Sequence, residues 1–358
     1  MKYHIGLSCG FHDAGLTVIS GDGEIRYASH SERYSKKKND ADIDIGLMRE
    51  ILQYPIGHVA YYERPWLKQL RQWYAGQGIE WNKLTARRVL EQQLRPYILS
   101  DKTISTHNHH LCHAAAGFQT SPFREATVVV IDAIGEFDTV SIWDARYDVY
   151  GQAQYTKLWN QRYPHSIGLF YSAMTDRVGL KPNEDEYILM GMVAYGDPNK
   201  YYEEVRNLWK RENLHRGCHW WHDGDDSLDA YAVAAATQKV YEEEFEKLLI
   251  RAKKTDPFQD NLVLMGGCAL NSSANTVLWD LFDDIWIMPN PGDAGSSLGA
   301  AAALYGKHLN WRDPYLGTNI GMSYPVDEIV SKLINDKIVA VANGRAEYGP
   351  RALGNRSI

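Results

Sequence analysis

The chain has 358 residues, 44% hydrophobic and 12% aromatic, with 38 Lys and Arg against 45 Asp and Glu for a formal charge of -7. That composition excludes a disordered or collagen-like chain and supplies apolar material for about two lobes of ordinary domain size. No apolar run approaches a membrane span, the polar start is no signal peptide, and the acidic balance lacks the basic footprint of non-specific nucleic-acid binding.

In chain order, residues 3–8 read as a short strand, followed by the turn-rich CGFHDAG and a second strand at 16–20. Gly21-Asp22-Gly23 is a hairpin signal, and EIRYASHSE returns as a third strand. Residues 45–100 read as mainly helical, broken near Pro55 and Pro65, and 107–119 as a further helix. An apolar strand at 126–135 follows, then strands across 138–159 and a helical stretch from 166. Residues 200–225 are charged and rich in Trp and His, which predicts surface, whereas 228–253 carry a sustained helical period. Two strand–loop–helix units close the pattern, LVLMGG into ALNSSANTVLWDLF and IWIMP into SLGAAAALYG. The result is α/β, in two similar halves that each begin with strands. Four scattered cysteines, Cys9, Cys112, Cys218 and Cys268, are too few for a disulfide scaffold and point to a reducing, cytoplasmic setting.

The sharpest chemical feature is His107-Asn108-His109-His110-Leu111-Cys112-His113. On a helix His109 and His113 are i and i+4, one turn apart on one face, a natural pair of imidazoles for a divalent metal. The bland alternative is a polar helix start with satisfied side chains. Asp132 ends an apolar strand, where a carboxylate is costly unless paired or metal-bound. Asp293, in PGDAG, lies just before a helix, where its bland role is an N-terminal cap. Two His and two Asp suit Fe, Mn or Zn better than Mg or Ca, and spacing alone does not bring the four together.

Glycine loops stand at Gly10–Gly15, Gly135–Thr139, Gly266-Gly267 and Pro291–Gly295, without either common nucleotide-binding signature. Each alone marks a turn; four at strand ends favour a nucleotide cleft. Gly6-Leu7-Ser8-Cys9-Gly10 matches a nucleophile-elbow pattern, but a hairpin follows where that elbow needs a helix. Cys218–His222 reads as a Trp-rich surface loop rather than a metal cluster, and Lys36-Lys37-Lys38 as an exposed loop. In GRAEYGPRALGNRSI, Arg345, Arg351 and Arg356 suggest bidentate capture of phosphate or carboxylate, the alternative being a salt-bridged loop.

Taken together, GLSCGFHDAGLTVIS, SERYSKKKND, HHLCHAAAGFQTSPF, VVVIDAIGE, HSIGLFYSAMTDRVGLKPNEDEYILMGMVAYGDP, GGCALNSSAN, PNPGDAGSSLGAA and GRAEYGPRALGNRSI resemble the NodU/CmcH-type O-carbamoyltransferases, in the family's order. The resemblance implies a bilobal fold of the actin/Hsp70/sugar-kinase superfamily around a nucleotide cleft, like that of threonylcarbamoyl transferases. It places the transfer domain at 1–342, with lobes at roughly 1–160 and 161–342, and the start of a truncated YrdC-like C-terminal domain at 343–358.

The same resemblance implies an activity: a YrdC-like domain, in cis or in trans, turns carbamoyl phosphate and ATP into carbamoyl adenylate. The transfer domain then passes the carbamoyl group to a hydroxyl of a sugar, an aminoglycoside or a hydroxymethyl nucleotide. His109, His113, Asp132 and Asp293 would hold a divalent metal, Fe²⁺ foremost, then Mn²⁺ or Zn²⁺. His12 would sit at the transfer centre with Asp13 beside it, after Gly10. Gly135, Glu136 and Thr139, with Gly266, Gly267 and Asn271, would hold phosphates and adenosine, and Glu186 would bind ribose hydroxyls. A homodimer is among the assemblies it allows. Ile188 departs from the Lys of many relatives, and the sequence stops inside the arginine block, which is the reading of a fragment. The competing readings are a sugar-kinase-like phosphotransferase, a hydrolase using Ser8, and a non-catalytic nucleotide- and metal-binding module.

Overall fold

The computed structural model describes residues 3–94, 99, 102–225 and 227–357. The chain forms two compact units, one from Met1–Pro122, Asp148–Ala153 and Met288–Ile358, the other from Phe123–Tyr147 and Gln154–Ile287. The division expected near residue 160 therefore falls at Pro122, and the chain returns to the first unit at Met288. The physical reason is that the strands after 122 hydrogen-bond with those of 261–286 and belong to their sheet.

In the first unit, β1 (Tyr3–Ser8), β2 (Gly15–Ser20) and β3 (Ile25–His30) form the expected antiparallel meander. A one-turn helix α1 (Glu32–Ser35) and α2 (Ile45–Ile51) follow. Here the structure departs from the all-helical expectation for 45–100. Strand β4 (Ile56–Tyr61) pairs parallel with β1, and β5 (Ile104–Thr106) pairs parallel with β4. Helices α3 (Pro65–Tyr74) and α4 (Ala86–Gln93) lie between them in sequence.

Helix α5 (His109–Thr120) starts where the Asn108 side chain accepts from Leu111 N at 3.0 Å, a cap that fixes which residue begins the first turn. The Ala-rich helix α10 (Ser296–Tyr305) packs on β1 and α5 at backbone contact. A Cβ on Gly6 would stand 1.9 Å from the Ser297 carbonyl oxygen, and one on Gly299 1.9 Å from that of Cys112. Not even a methyl has room at these two points, which is why Gly stands at positions 6 and 299. The core gathers Leu7, Leu16, Val18, Val59, Leu90 and Cys112 around this stack.

The second unit holds β6 (Glu125–Gly135), β7 (Asp138–Tyr147), β8 (Ala153–Arg162), β9 (Asn261–Met265) and β10 (Asp284–Trp286). The sheet orders are β3-β2-β1-β4-β5 and β10-β9-β6-β7-β8. Counted along the chain within each unit, both run 3-2-1-4-5 in one direction or the other, so the two α/β units repeat one topology, as the resemblance implied. Their helices are α6 (Ile167–Arg177), α7 (Glu186–Met192), α8 (Tyr202–Arg211) and α9 (Ala230–Thr255). Residues 200–225 are not all surface: Val205, Leu208, Cys218 and Trp221 are buried in this unit's core. The expected helix after Gly267 is instead a pair of 3-10 segments, Gly267–Leu270 and Ala274–Asp280. Asn271, Ser272 and Ser273 sit between them, residues whose side chains compete for backbone groups.

The chain then re-enters the first unit through Asp293–Gly295, α10 (Ser296–Tyr305) and α11 (Val326–Asp336), and ends in the small ribbon β11 (Val341–Ala342) and β12 (Arg356–Ser357). Among the described residues no helix is long and apolar enough to cross a membrane.

Candidate functional site

Three parts of the first unit meet at one point: the β1–β2 loop, the first turns of α5 and the turn before α10. His109 and His113 project from one face of α5, as their spacing predicted. Their Nε2 atoms lie 3.2 and 3.0 Å from Asp293 Oδ1, and 3.1 Å from each other. Both imidazoles are about 1% exposed. Asp293 caps no helix: the first residue of α10 has Gly295 at its cap and no side-chain cap bond. The carboxylate is spent on the histidines instead.

From the β1–β2 loop, His12 Nδ1–H donates to Asp13 Oδ2 at 3.1 Å, and its Nε2 faces Asp293 Oδ2 at 3.4 Å. Burial would raise the Asp293 carboxyl, but His109, His113 and His12 outweigh it and hold the group well below the usual carboxylate range. For His12 burial pulls the imidazole down, yet the ring keeps 43% of its surface. The Asp13 hydrogen bond and the Asp293 charge raise it above the ordinary histidine value.

Two ring nitrogens that face each other across 3.1 Å, and share one carboxylate oxygen, form the triangle that donors make around an ion roughly 2.1 Å from each. The donor chemistry, imidazole nitrogen with carboxylate oxygen, fits a borderline divalent metal. The residues present therefore fit the expected group.

Sequence reading missed two members of this neighbourhood. Glu63, just after β4, is fully buried, with its Oε2 3.7 Å from His109 Nδ1 and 3.1 Å from Lys68 Nζ of α3. Burial would raise the Glu63 carboxyl, but Lys68 and His109 pull it below the usual range. The ammonium of Lys68 also stands 3.8 Å over the ring of Phe11, the residue before His12. In the sequence ERPWLK looks like a solvated charge cluster; only an unrecognised strand β4 could have shown that Glu63 stands at the buried end of a strand. Ser8 offers no nucleophile, since it is buried and its hydroxyl donates to the Asp13 carbonyl oxygen.

The family description "Carbamoyltransferase N-terminus" matches residues 73–302. The chain belongs to the carbamoyltransferase family. The description "Carbamoyltransferase C-terminus" matches residues 330–358, starting before the expected boundary at 343. An uncharacterized protein of Synechocystis is 30% identical over 100% of this chain and 71% of its own length. Nodulation protein NolO of Bradyrhizobium diazoefficiens is 30% identical over 70% of this chain and 52% of its own length. The chain thus spans between about half and about seven-tenths of such relatives. Among solved structures, the activator of 2-hydroxyisocaproyl-CoA dehydratase from Clostridium difficile aligns over 85% of this chain and 94% of its own, at 14% identity and a TM-score of 0.45.

In this carbamoyltransferase-family chain the remaining expected residues fall in three places. Gly10 lies in the His12 loop, where its N–H donates to the Ala41 carbonyl at 2.7 Å. In the second unit, Asp132 ends the buried run of β6 and accepts from Gly267 N at 3.3 Å, so these two are brought together. Gly266 opens the same turn. Gly135 and Glu136 form the β6–β7 turn, and Thr139 donates to the His165 carbonyl at 2.6 Å. Asn271 and Gln238 exchange amide hydrogen bonds, both 3.0 Å. Glu186, in the first turn of α7, accepts from Ser172 Oγ at 2.7 Å and Asn183 N at 2.6 Å.

The arginines of the last block, in the first unit, divide their work. Arg345 donates to the carbonyls of Gly317, Leu316 and Arg26, and Arg356 to Glu347 and the Gly349 carbonyl. Arg356, paired with Glu347, matches the salt-bridged alternative, Arg345 is held by carbonyls alone, and Arg351 is exposed.

Proposed function

We propose that this chain is the transfer part of an O-carbamoyltransferase, moving a carbamoyl group from carbamoyl adenylate to a hydroxyl of a small-molecule acceptor. The observation that carries this reading is the meeting of His12, His109, His113 and Asp293 in a chain of this family. His109, His113 and Asp293 would hold a divalent metal, Fe²⁺, Mn²⁺ or Zn²⁺. When bound, the metal supplies positive charge for the phosphate oxygens and the developing oxyanion.

In the transfer step the acceptor oxygen bonds to the carbamoyl carbon, the carbon–oxygen bond of the mixed anhydride breaks, and AMP leaves. His12 takes the hydroxyl proton, with Asp13 fixing its ring so that Nε2 is the accepting nitrogen. The loops at Gly135–Thr139 and Gly266–Asn271, with Glu186, are assigned to the nucleotide. Carbamoyl adenylate itself would come from a YrdC-like domain, from carbamoyl phosphate and ATP. Aromatic and Trp-rich stretches at 45–100 and 200–225 suit a sugar, aminocyclitol or nucleoside acceptor.

The test is to supply preformed carbamoyl adenylate with a panel of sugars, aminoglycosides and nucleosides and to follow AMP release and carbamoylated product by mass. AMP with no product from any acceptor, or ADP and a phosphorylated product from ATP, overturns the proposal. His12→Ala should abolish transfer with metal content intact, and His109→Ala should lower bound metal by elemental analysis. Unchanged metal in the second variant refutes the ligand assignment.

A further inference from the structure

The Glu63–Lys68 pair takes no part in the transfer step written above, yet it is among the most deeply buried charge pairs in the first unit, at 1% and 8% side-chain exposure. Such a pair gains little stability over apolar residues of the same size, so its presence calls for another account. Its geometry supplies one. Glu63 Oε2 faces the Nδ1 edge of His109 at 3.7 Å, while the Nε2 edge of the same ring faces Asp293 and His113. At 3.7 Å this is an electrostatic contact rather than a hydrogen bond; a negative charge on the Nδ1 side favours the proton there and leaves the Nε2 lone pair directed at the metal position. Lys68 fixes the carboxylate from behind, 3.1 Å away, and lies over Phe11, so the same ammonium touches the loop that carries His12.

We propose that Glu63, anchored by Lys68, is a positioning residue that sets the tautomer and orientation of His109 for metal binding. The proposal rests on the metal reading of His109, His113 and Asp293.

The experiment uses the full chain, stripped of metal with a chelator and titrated with Zn²⁺ against a chromophoric competitor, and separately with Co²⁺ to read its visible absorption bands. Three proteins are compared: the parent, Glu63→Gln, and the double variant Glu63→Leu/Lys68→Met. The double variant leaves no buried charge behind, so it should melt close to the parent. Both variants should still take up one ion per chain, with a dissociation constant raised roughly 10–100-fold and a changed Co²⁺ spectrum. Should the single variant fail to fold, the double variant decides. Parent-like affinity and spectrum in the folded double variant overturn the positioning role while leaving the metal reading standing. A parent that takes up no ion overturns the metal reading and this role with it.

Discussion

His30, at the end of β3, gives the chain a measurable acid sensitivity. The ring is 5% exposed, and Arg33 and Arg356 add positive charge beside it. Burial first, and the two guanidinium groups second, push the imidazole from 6.5 down to about 3. In the folded chain it stays neutral through mild acid, whereas in the unfolded chain it takes a proton near 6.5. Below that pH the unfolded state binds a proton that the folded state refuses, so stability held above 6.5 is lost as the pH falls toward 3. Each pH unit inside the window is worth ~1.4 kcal/mol, and between pH 7.5 and 5.0 this one group costs about 2 kcal/mol. The assay is urea unfolding of the parent and His30→Leu at both pH values, with chelator present so that metal release does not contribute. The variant should lose about 2 kcal/mol less than the parent on acidification, because the other histidines titrate alike in both. Parallel losses in the two proteins would refute the account of His30.

Two further expectations concern packing. In Gly299→Ala the new methyl meets the Cys112 carbonyl at 1.9 Å, backbone that does not yield, so α10 and α5 must separate. The cost should be roughly 1–3 kcal/mol or somewhat more by thermal melting, with weaker metal uptake because α5 carries both histidines. Glu347, buried, accepts from Leu353 N at 2.7 Å, Asn355 N at 2.9 Å and Arg356 Nε at 2.6 Å. Glu347→Gln should cost about 2 kcal/mol and open residues 344–357 to limited proteolysis; an unchanged digestion pattern would show that the loop is held by other contacts.

The parts legible in the sequence were those set by local chemistry. Gly21-Asp22-Gly23 and the apolar stretches around it specify the first meander, and the i, i+4 histidines specify the shared face of α5. What escaped depends on distant partners. β4 is a six-residue strand between two prolines whose pairing with β1 is parallel and non-local, so nothing in IGHVAY announces it. With β4 unseen, Glu63 could not be placed at the buried end of a strand. Arg345 and Arg356 carry the composition of an anion site, but Arg345 is taken up by the distant carbonyls of Arg26, Leu316 and Gly317, and Arg356 by Glu347 and Gly349 of its own folded loop. Cys218 and Trp221 read as exposed because their neighbours are charged, whereas the core of the second unit covers them.

The route of the chain through the first unit has a consequence for how the site comes into being. His109 and Asp293 are 184 positions apart, and the whole of the second unit is made between them. During synthesis the helix with both histidines emerges early, and its partner carboxylate follows only after the whole excursion has been translated. The site is therefore a late product of folding, assembled when α10 closes on β1. A metal bound there would tie the two ends of that excursion together, a clasp on a long loop of the kind whose closure most restricts an unfolded chain. Were a metal held there, its uptake would be coupled to completion of the first unit.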